Sequence, residues 1–266
     1  MKIDRHRIGP FEIAFRITGA GFPLLMFHGA EGDHQIYDKL QDALGSSVTA
    51  ISFDQRDCGL SEYPSAEPYT LKDVAHDAVR LIDTFGHESV DVLGNSIGGI
   101  LAQLMAYYWP ERVRRLVLGL TWPADERLTD LNPEGIARRI QYSQMGEAGQ
   151  LLIAELMSSP DYVAAHPEIL TDLRSLKTEP KPDAYQRRRA AFAVPIDIDP
   201  GRIHHETLII AGEVDQMVPA AVTQRLVTRL PNTKFELLPN AGHLAARQFP
   251  NELASLIRSF LCRPCS

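Results

Sequence analysis

Ser96 stands in Gly94-Asn95-Ser96-Ile97-Gly98-Gly99, a G-x-S-x-G pattern set between a short apolar run and a helical pattern. A turn that passes this sharply from strand to helix needs small residues at Gly94 and Gly98. A side chain at either would collide across the elbow, and the strained turn lifts the Ser96 hydroxyl to the carboxyl end of the sheet. A serine hydroxyl is barely ionised at neutral pH, so it needs a base beside it and an acid that orients the base. Asp215, in Ala211-Gly212-Glu213-Val214-Asp215, and His243, in Asn240-Ala241-Gly242-His243, each follow an apolar run of strand type. In such a set His243 removes the Ser96 proton during attack and returns it to the leaving group. Asp215 holds the imidazole tautomer and stabilises the imidazolium. Asp125, after another apolar run, is the alternative acid.

The remaining requirement is a pair of backbone donors for a developing oxyanion. The run Leu24 to Phe27 leads into His28-Gly29-Ala30-Glu31-Gly32, where Gly29 and Gly32 let the backbone turn its N–H groups inward. The N–H groups of Ala30 and Ile97 are the expected donors. His28 reads as a residue that holds this loop by hydrogen bonds rather than as a proton carrier. Glu31 and His34, in the same loop, are candidates for contact with a substrate.

The elements that must position these residues are legible as strands at Leu24 to Phe27, Val48 to Phe53, Val90 to Leu93, Val113 to Leu118, Thr207 to Ala211 and Phe235 to Leu238. They are short and several carry β-branched residues. Between them, Leu71 to Phe85 places Leu71, Val74, Ala75, Ala78, Leu81 and Ile82 at helical spacing, the stripe of a half-buried helix. Ile97 to Trp109 is apolar on nearly every face and stops at Pro110, as a central helix should. A last helix spans Pro250 to Leu261. Strands alternating with helices predict an α/β protein whose mostly parallel sheet is covered on both faces. Residues 122–200 show no strand pattern, hold many prolines and read as a helical cap between two strands. The expected organisation is a core of residues 1–121 and 201–266 with a cap of residues 122–200.

At 266 residues, 44% hydrophobic and 23% charged, the composition is that of an ordinary folded protein. The balance of 27 basic against 34 acidic residues, net −7, speaks against nucleic acid or an anionic membrane as partner. No run reaches the ~18 apolar residues of a membrane helix, and the opening MKIDRHRIGPFEIAF lacks the apolar core of a signal peptide. Three cysteines, Cys58, Cys262 and Cys265, cannot build a disulfide framework. The last two form C-R-P-C, a pair that alone cannot complete a four-ligand zinc site, and no phosphate-binding glycine loop occurs. These features predict a cytoplasmic monomer or homodimer that acts on a small molecule without metal or cofactor.

With the order Ser96, Asp215, His243 and the elbow around Ser96, the chain outside the cap resembles the α/β-hydrolase family. The segment Asp54-Gln55-Arg56-Asp57-Cys58-Gly59-Leu60-Ser61 is similar to the family's D-x-R-G-x-G-x-S loop, with Asp57 where glycine is usual. That variant looks like the segment of anthracycline methylesterases. The resemblance implies a serine hydrolase acting on an ester or lactone, in the manner of small carboxylesterases and enol-lactonases. A second branch, the meta-cleavage C–C hydrolases, resembles this chain in G-N-S-x-G-G through Asn95 but usually has Trp where Leu244 follows His243. A third use of the fold is a non-hydrolytic one, as a ligand-binding protein or lyase.

In the cap, Tyr142, Met145, Leu152, Leu156 and Met157 share helical spacing and offer an apolar pocket wall or a cap core. Trp122, just past a strand, is a further pocket candidate. Arg187-Arg188-Arg189 and Arg138-Arg139 read either as a solvated helix face or as a fork for a substrate carboxylate.

Overall fold

The apolar runs pair into one eight-stranded sheet in a computed structural model that describes residues 3–30, 32–61, 63–175 and 182–262. In chain order the elements are β1 (Asp4–Ile8), β2 (Phe11–Gly19), β3 (Pro23–Phe27), α1 (Asp38–Leu44), β4 (Thr49–Phe53), α2 (Leu71–Thr84), β5 (Val90–Asn95), α3 (Ile97–Tyr108) and β6 (Val113–Gly119). Then follow α4 (Leu128–Leu131), α5 (Pro133–Gln144), α6 (Glu147–Met157), α7 (Pro160–Ala165), α8 (Glu168–Ser175) and α9 (Pro182–Ala193). The chain closes with β7 (Glu206–Gly212), α10 (Ala220–Arg229), β8 (Thr233–Leu238), α11 (Ala245–Gln248) and α12 (Pro250–Leu261).

The strand order is β1-β2-β4-β3-β5-β6-β7-β8. The pairs β1·β2 and β2·β4 are antiparallel, and every later pair is parallel. All six strands expected from the sequence are present within a few residues of their expected bounds. The two antiparallel strands at the start are additional. β1 reads Asp-Arg-His-Arg-Ile and exposes its middle three residues, so the edge position deprives it of the apolar run that marks the other strands.

Because side chains alternate across a strand, each buried strand feeds two cores. Leu25, Phe27, Ile51, Phe53, Val92, Leu116, Leu118 and Ile209 pack on one face with α2, α3 and α10. Leu24, Met26, Ala50, Leu93, Val117, Leu208 and Ile210 pack on the other with α1, α11 and α12. α2 begins where Thr70 and Asp73 form a reciprocal capping box. α3, flanked by sheet and helices, buries all but a few of its residues. The parallel registers Phe27↔Gly94, Asn95↔Gly119 and Gly119↔Ile210 bring the carboxyl ends of β3, β5, β6 and β7 to one rim. The segment between β6 and β7 carries α4 to α9 and no strand among its described residues. No helix among the described residues is long and apolar enough to cross a membrane.

Candidate active site

Ser96 joins β5 to α3 with φ of +56°, a left-handed conformation that a non-glycine residue adopts only where its surroundings enforce it. The enforcement is visible in the backbone. Ser96 N–H donates to the Gly119 carbonyl at 3.1 Å, and the Ser96 carbonyl accepts from Gly99 N–H at 2.9 Å and from Thr121 Oγ1 at 2.7 Å. A side chain on Gly94 would run into the Gly98 carbonyl, as the elbow requires. One on Gly98 would strike the Phe27 carbonyl instead, so this second glycine lets α3 approach β3 rather than clearing the elbow itself.

Asp215 and His243 come from two loops of the same rim and meet. His243 Nδ1 lies 2.8 Å from Asp215 Oδ2, while Asp215 Oδ1 accepts the N–H groups of Met217 at 2.8 Å and Val218 at 2.9 Å. With both carboxylate oxygens engaged, the acid is fixed, and an Nδ1–H donated to it leaves the Nε2 lone pair of His243 free to accept a proton. Ser96 and His243 line one cavity of about 1000 Å³ at the carboxyl rim, together with Ala30, Ile97 and Trp122. Asp125 is an ion-pair partner of Arg229 and stands apart from His243 in that role.

The loop after β3 is held by His28, which is fully buried. Its Nδ1 contacts the Gly29 carbonyl at 2.8 Å and its Nε2 accepts Gln55 N–H at 3.2 Å. Burial, with the Arg188 charge nearby, pushes this imidazole down to about 3, so it stays neutral and keeps one donor and one acceptor.

Several expected contacts lie elsewhere. His34 is buried and turned away from the cavity, because the helical turn begun by Asp33 points its ring at the end of β4. There Asp54 Oδ1 receives His34 Nδ1 at 2.6 Å and His34 N–H at 2.7 Å. Met145, at the end of α5, is 43% exposed, and Tyr142 is off the cavity wall. The wall takes Ile136 and Arg139 from α5, one turn earlier. Helical spacing defines a stripe but not the point at which the helix leaves the cavity. Glu31 and Cys265 lie outside the described residues. Burial pushes the Cys58 thiol up to about 11, which suits a passive role. Asp33, His34 and Asp54 bring three metal-capable atoms within 4.8 Å of one another, but the Asp54 oxygens already serve His34 and the Leu60 N–H.

Two residues of the arginine run face the loops after β3 and β4 rather than the cavity. Arg187 forms a two-bond pair with Asp57 at 2.9 and 2.7 Å, and Arg188 is buried against the loops after β3 and β4. The segment between β6 and β7 also reaches the other two loops of the rim. Asn132 Nδ2 donates to the carbonyls of Gln216 and Met217, and Leu244 N–H donates to the Met157 carbonyl.

A mostly parallel sheet with a serine at a strained strand-to-helix elbow, and a histidine–carboxylate pair on the same rim, is the arrangement of the α/β hydrolase fold. Residues 23–144 match the family model of the α/β hydrolase fold. It is 28% identical over 258 residues to a 2-hydroxymuconate semialdehyde hydrolase of Pseudomonas sp. strain CF600, covering 92% of this chain and 88% of that one. Among solved structures, a thermophilic esterase from Thermogutta terrifontis superposes with a TM-score of 0.81 at 23% identity, over 98% of each chain. The enol-lactonase from Burkholderia xenovorans LB400 gives a TM-score of 0.83 at 20% identity, over 98% of this chain and 100% of that one.

Proposed function

We propose that this α/β hydrolase is a serine hydrolase that cleaves a small-to-medium carboxylic ester or lactone through an acyl-enzyme. Ser96 is the nucleophile, His243 the base and then the acid, Asp215 the orienting carboxylate, and the N–H groups of Ala30 and Ile97 the oxyanion donors. The observation that carries this reading is the Asp215–His243 contact of 2.8 Å beside a cavity that Ser96 shares. Attack of Ser96 Oγ on the carbonyl carbon sends its proton to His243 and the alcohol leaves with that proton. Water then repeats the sequence on the acyl-enzyme and releases the acid.

The cavity wall favours an apolar substrate. Ile100, Trp122, Phe192, Ile196, Met217 and Leu244 line it, and two of its acidic side chains are paired, Asp125 with Arg229 and Glu126 with Arg225 and Arg229. The helices between β6 and β7 would then act as the cap that selects the acyl and alcohol groups.

Hydrolysis of an aryl-ester chain-length series, wild type beside Ser96→Ala, tests the reading. Turnover that disappears in the variant is expected, and retention of more than a small fraction would overturn the mechanism. Asn95, beside the nucleophile on the cavity wall, favours a second reading, hydrolysis of a C–C bond in a vinylogous diketone. Release of a dienoate from a ring-fission substrate with negligible ester turnover would select it.

A further inference from the structure

In a trans peptide the N–H points away from its own C=O, so a group that grips the carbonyl aims the N–H. The Ala30 N–H shares its peptide with the Gly29 carbonyl, which His28 Nδ1 holds at 2.8 Å. The next carbonyl, that of Ala30 itself, belongs to the following peptide and is held by Arg188 Nε at 2.9 Å, so the peptides on both sides of Ala30 are gripped. The two grips are linked through one residue, Gln55. Gln55 Oε1 accepts from Arg188 Nη2 at 2.8 Å, Gln55 Nε2 donates to the His28 carbonyl at 2.8 Å, and Gln55 N–H donates to His28 Nε2 at 3.2 Å.

Arg188 is built into this place. Its third contact is the Arg56 carbonyl at 3.5 Å, it is 5% exposed, and it is not on the cavity wall. A planar guanidinium can serve these three acceptors at once, whereas an ammonium on a flexible stem offers one point charge. The platform beneath it is rigid. Arg56 is paired with buried Asp77 at 2.5 and 2.7 Å and lies over the rings of Tyr63 and Tyr69. The neighbouring Arg187–Asp57 pair then fastens α9 to the same loop.

We propose that Arg188 is a positioning residue for the reaction: from α9 it locks the Ala30 carbonyl and, through Gln55, the His28 grip, so that the Ala30 N–H is fixed toward the oxyanion. This rests on the serine hydrolase reading above. It gives α9 a role in transition-state stabilisation, independent of any contact with substrate. Because the donor is misaimed rather than deleted when Arg188 is lost, the effect is at the lower end of that for a missing oxyanion donor.

The test compares wild type, Arg188→Met and Arg188→Lys in steady-state hydrolysis of an aryl ester and in the affinity of an arylboronic acid, which forms a tetrahedral adduct with an active-site serine. For Arg188→Met, kcat is expected to fall about 10- to 100-fold with KM changed less than about twofold. Boronate affinity should fall in parallel with kcat/KM, as for a transition-state analogue. Arg188→Lys should recover part of both. A raised KM with kcat intact would overturn the proposal in favour of a substrate contact. A lowered melting temperature with both kcat and boronate affinity intact would overturn it in favour of a structural role alone. If Arg188→Met does not fold, Arg188→Lys carries the same comparison, and unchanged kcat and boronate affinity there would sink the proposal. Wild-type protein that neither turns over the ester nor takes up the boronate would remove the hydrolase reading and this inference with it. Wild-type turnover lost in Ser96→Ala but unaffected by Arg188 substitution would remove only the inference.

Discussion

Asp57 receives Nε and Nη2 of Arg187 at 2.9 and 2.7 Å from a backbone held at φ of +61°. The left-handed conformation explains why glycine is usual at this position in the related loop, and aspartate is among the few side chains that tolerate it. Here the strain is offset by a two-bond ion pair that joins the loop after β4 to α9, 130 residues away in sequence. Asp57→Gly should relieve about 1 kcal/mol of backbone strain and lose a charge-assisted pair worth about 1.5–3 kcal/mol. A net loss of about 1 kcal/mol is expected, seen as a small drop in denaturation midpoint and faster amide exchange confined to α9. Unchanged exchange in α9 would show that the pair does not anchor the helix.

In the proposed mechanism Asp215 fixes the imidazole that Ser96 depends on. Asp215→Asn presents an amide where Nδ1–H needs an acceptor, which favours the wrong tautomer of His243. A fall in kcat of roughly 10³- to 10⁴-fold is expected, with little change in KM. The check is steady-state kinetics on the best ester of the series. A loss under tenfold would point to another acid.

The buried His34–Asp54 pair makes stability depend on pH. Burial opposes both charges, yet their hydrogen bond and attraction outweigh it, so His34 titrates above its ordinary 6.5 and Asp54 below its ordinary 3.8. A raised histidine stabilises fully below its unfolded value, and this is lost as pH climbs through the folded one. A lowered aspartate stabilises above its unfolded value, and this is lost as pH falls through the folded one. The pair therefore contributes most between about pH 4 and about pH 6.5. The gap in melting temperature between wild type and His34→Gln should be widest near pH 6 and narrow toward about pH 9. A gap that widens with rising pH would contradict the charged pair.

Ile100 stands on the wall of the cavity from α3, the helix that Ser96 opens. Ile100→Trp fills part of the space, so each methylene of a long acyl chain that loses its place should cost about 0.8 kcal/mol, or about fourfold in kcat/KM. The chain-length optimum should shift to shorter esters, with the shortest ester little affected. A uniform loss at every length would mean that the substitution disturbs the elbow instead.

Much of this site could be read before any tertiary contact was known, because its constraints are local. Gly94 is needed by a turn of six residues, and its apolar strand before and helix after are contiguous with it. Asp215 and His243 each follow their own strand by a few residues, so the parallel sheet alone delivers them to the rim that carries Ser96. The strand β1 escaped this reading because an exposed edge strand carries no apolar run, and β2 because Glu12 and Arg16 break its apolar residues.

What local pattern could not decide was the partner of each charged side chain. His34 and Glu31 are equivalent in sequence as loop residues near an expected oxyanion donor, and only packing turns His34 inward to Asp54. Arg187 and Arg188 look like a solvated helix face until α9 folds back over loops that lie more than a hundred residues earlier, where their guanidinium groups find Asp57, Gln55 and the Ala30 carbonyl. The elbow, the order of the three candidate residues and the parallel sheet follow from short-range sterics and strand-helix alternation. The cavity wall, the buried pairs and the clamp on Ala30 arise from long-range packing, in which a partner is chosen by distance in space rather than by position along the chain.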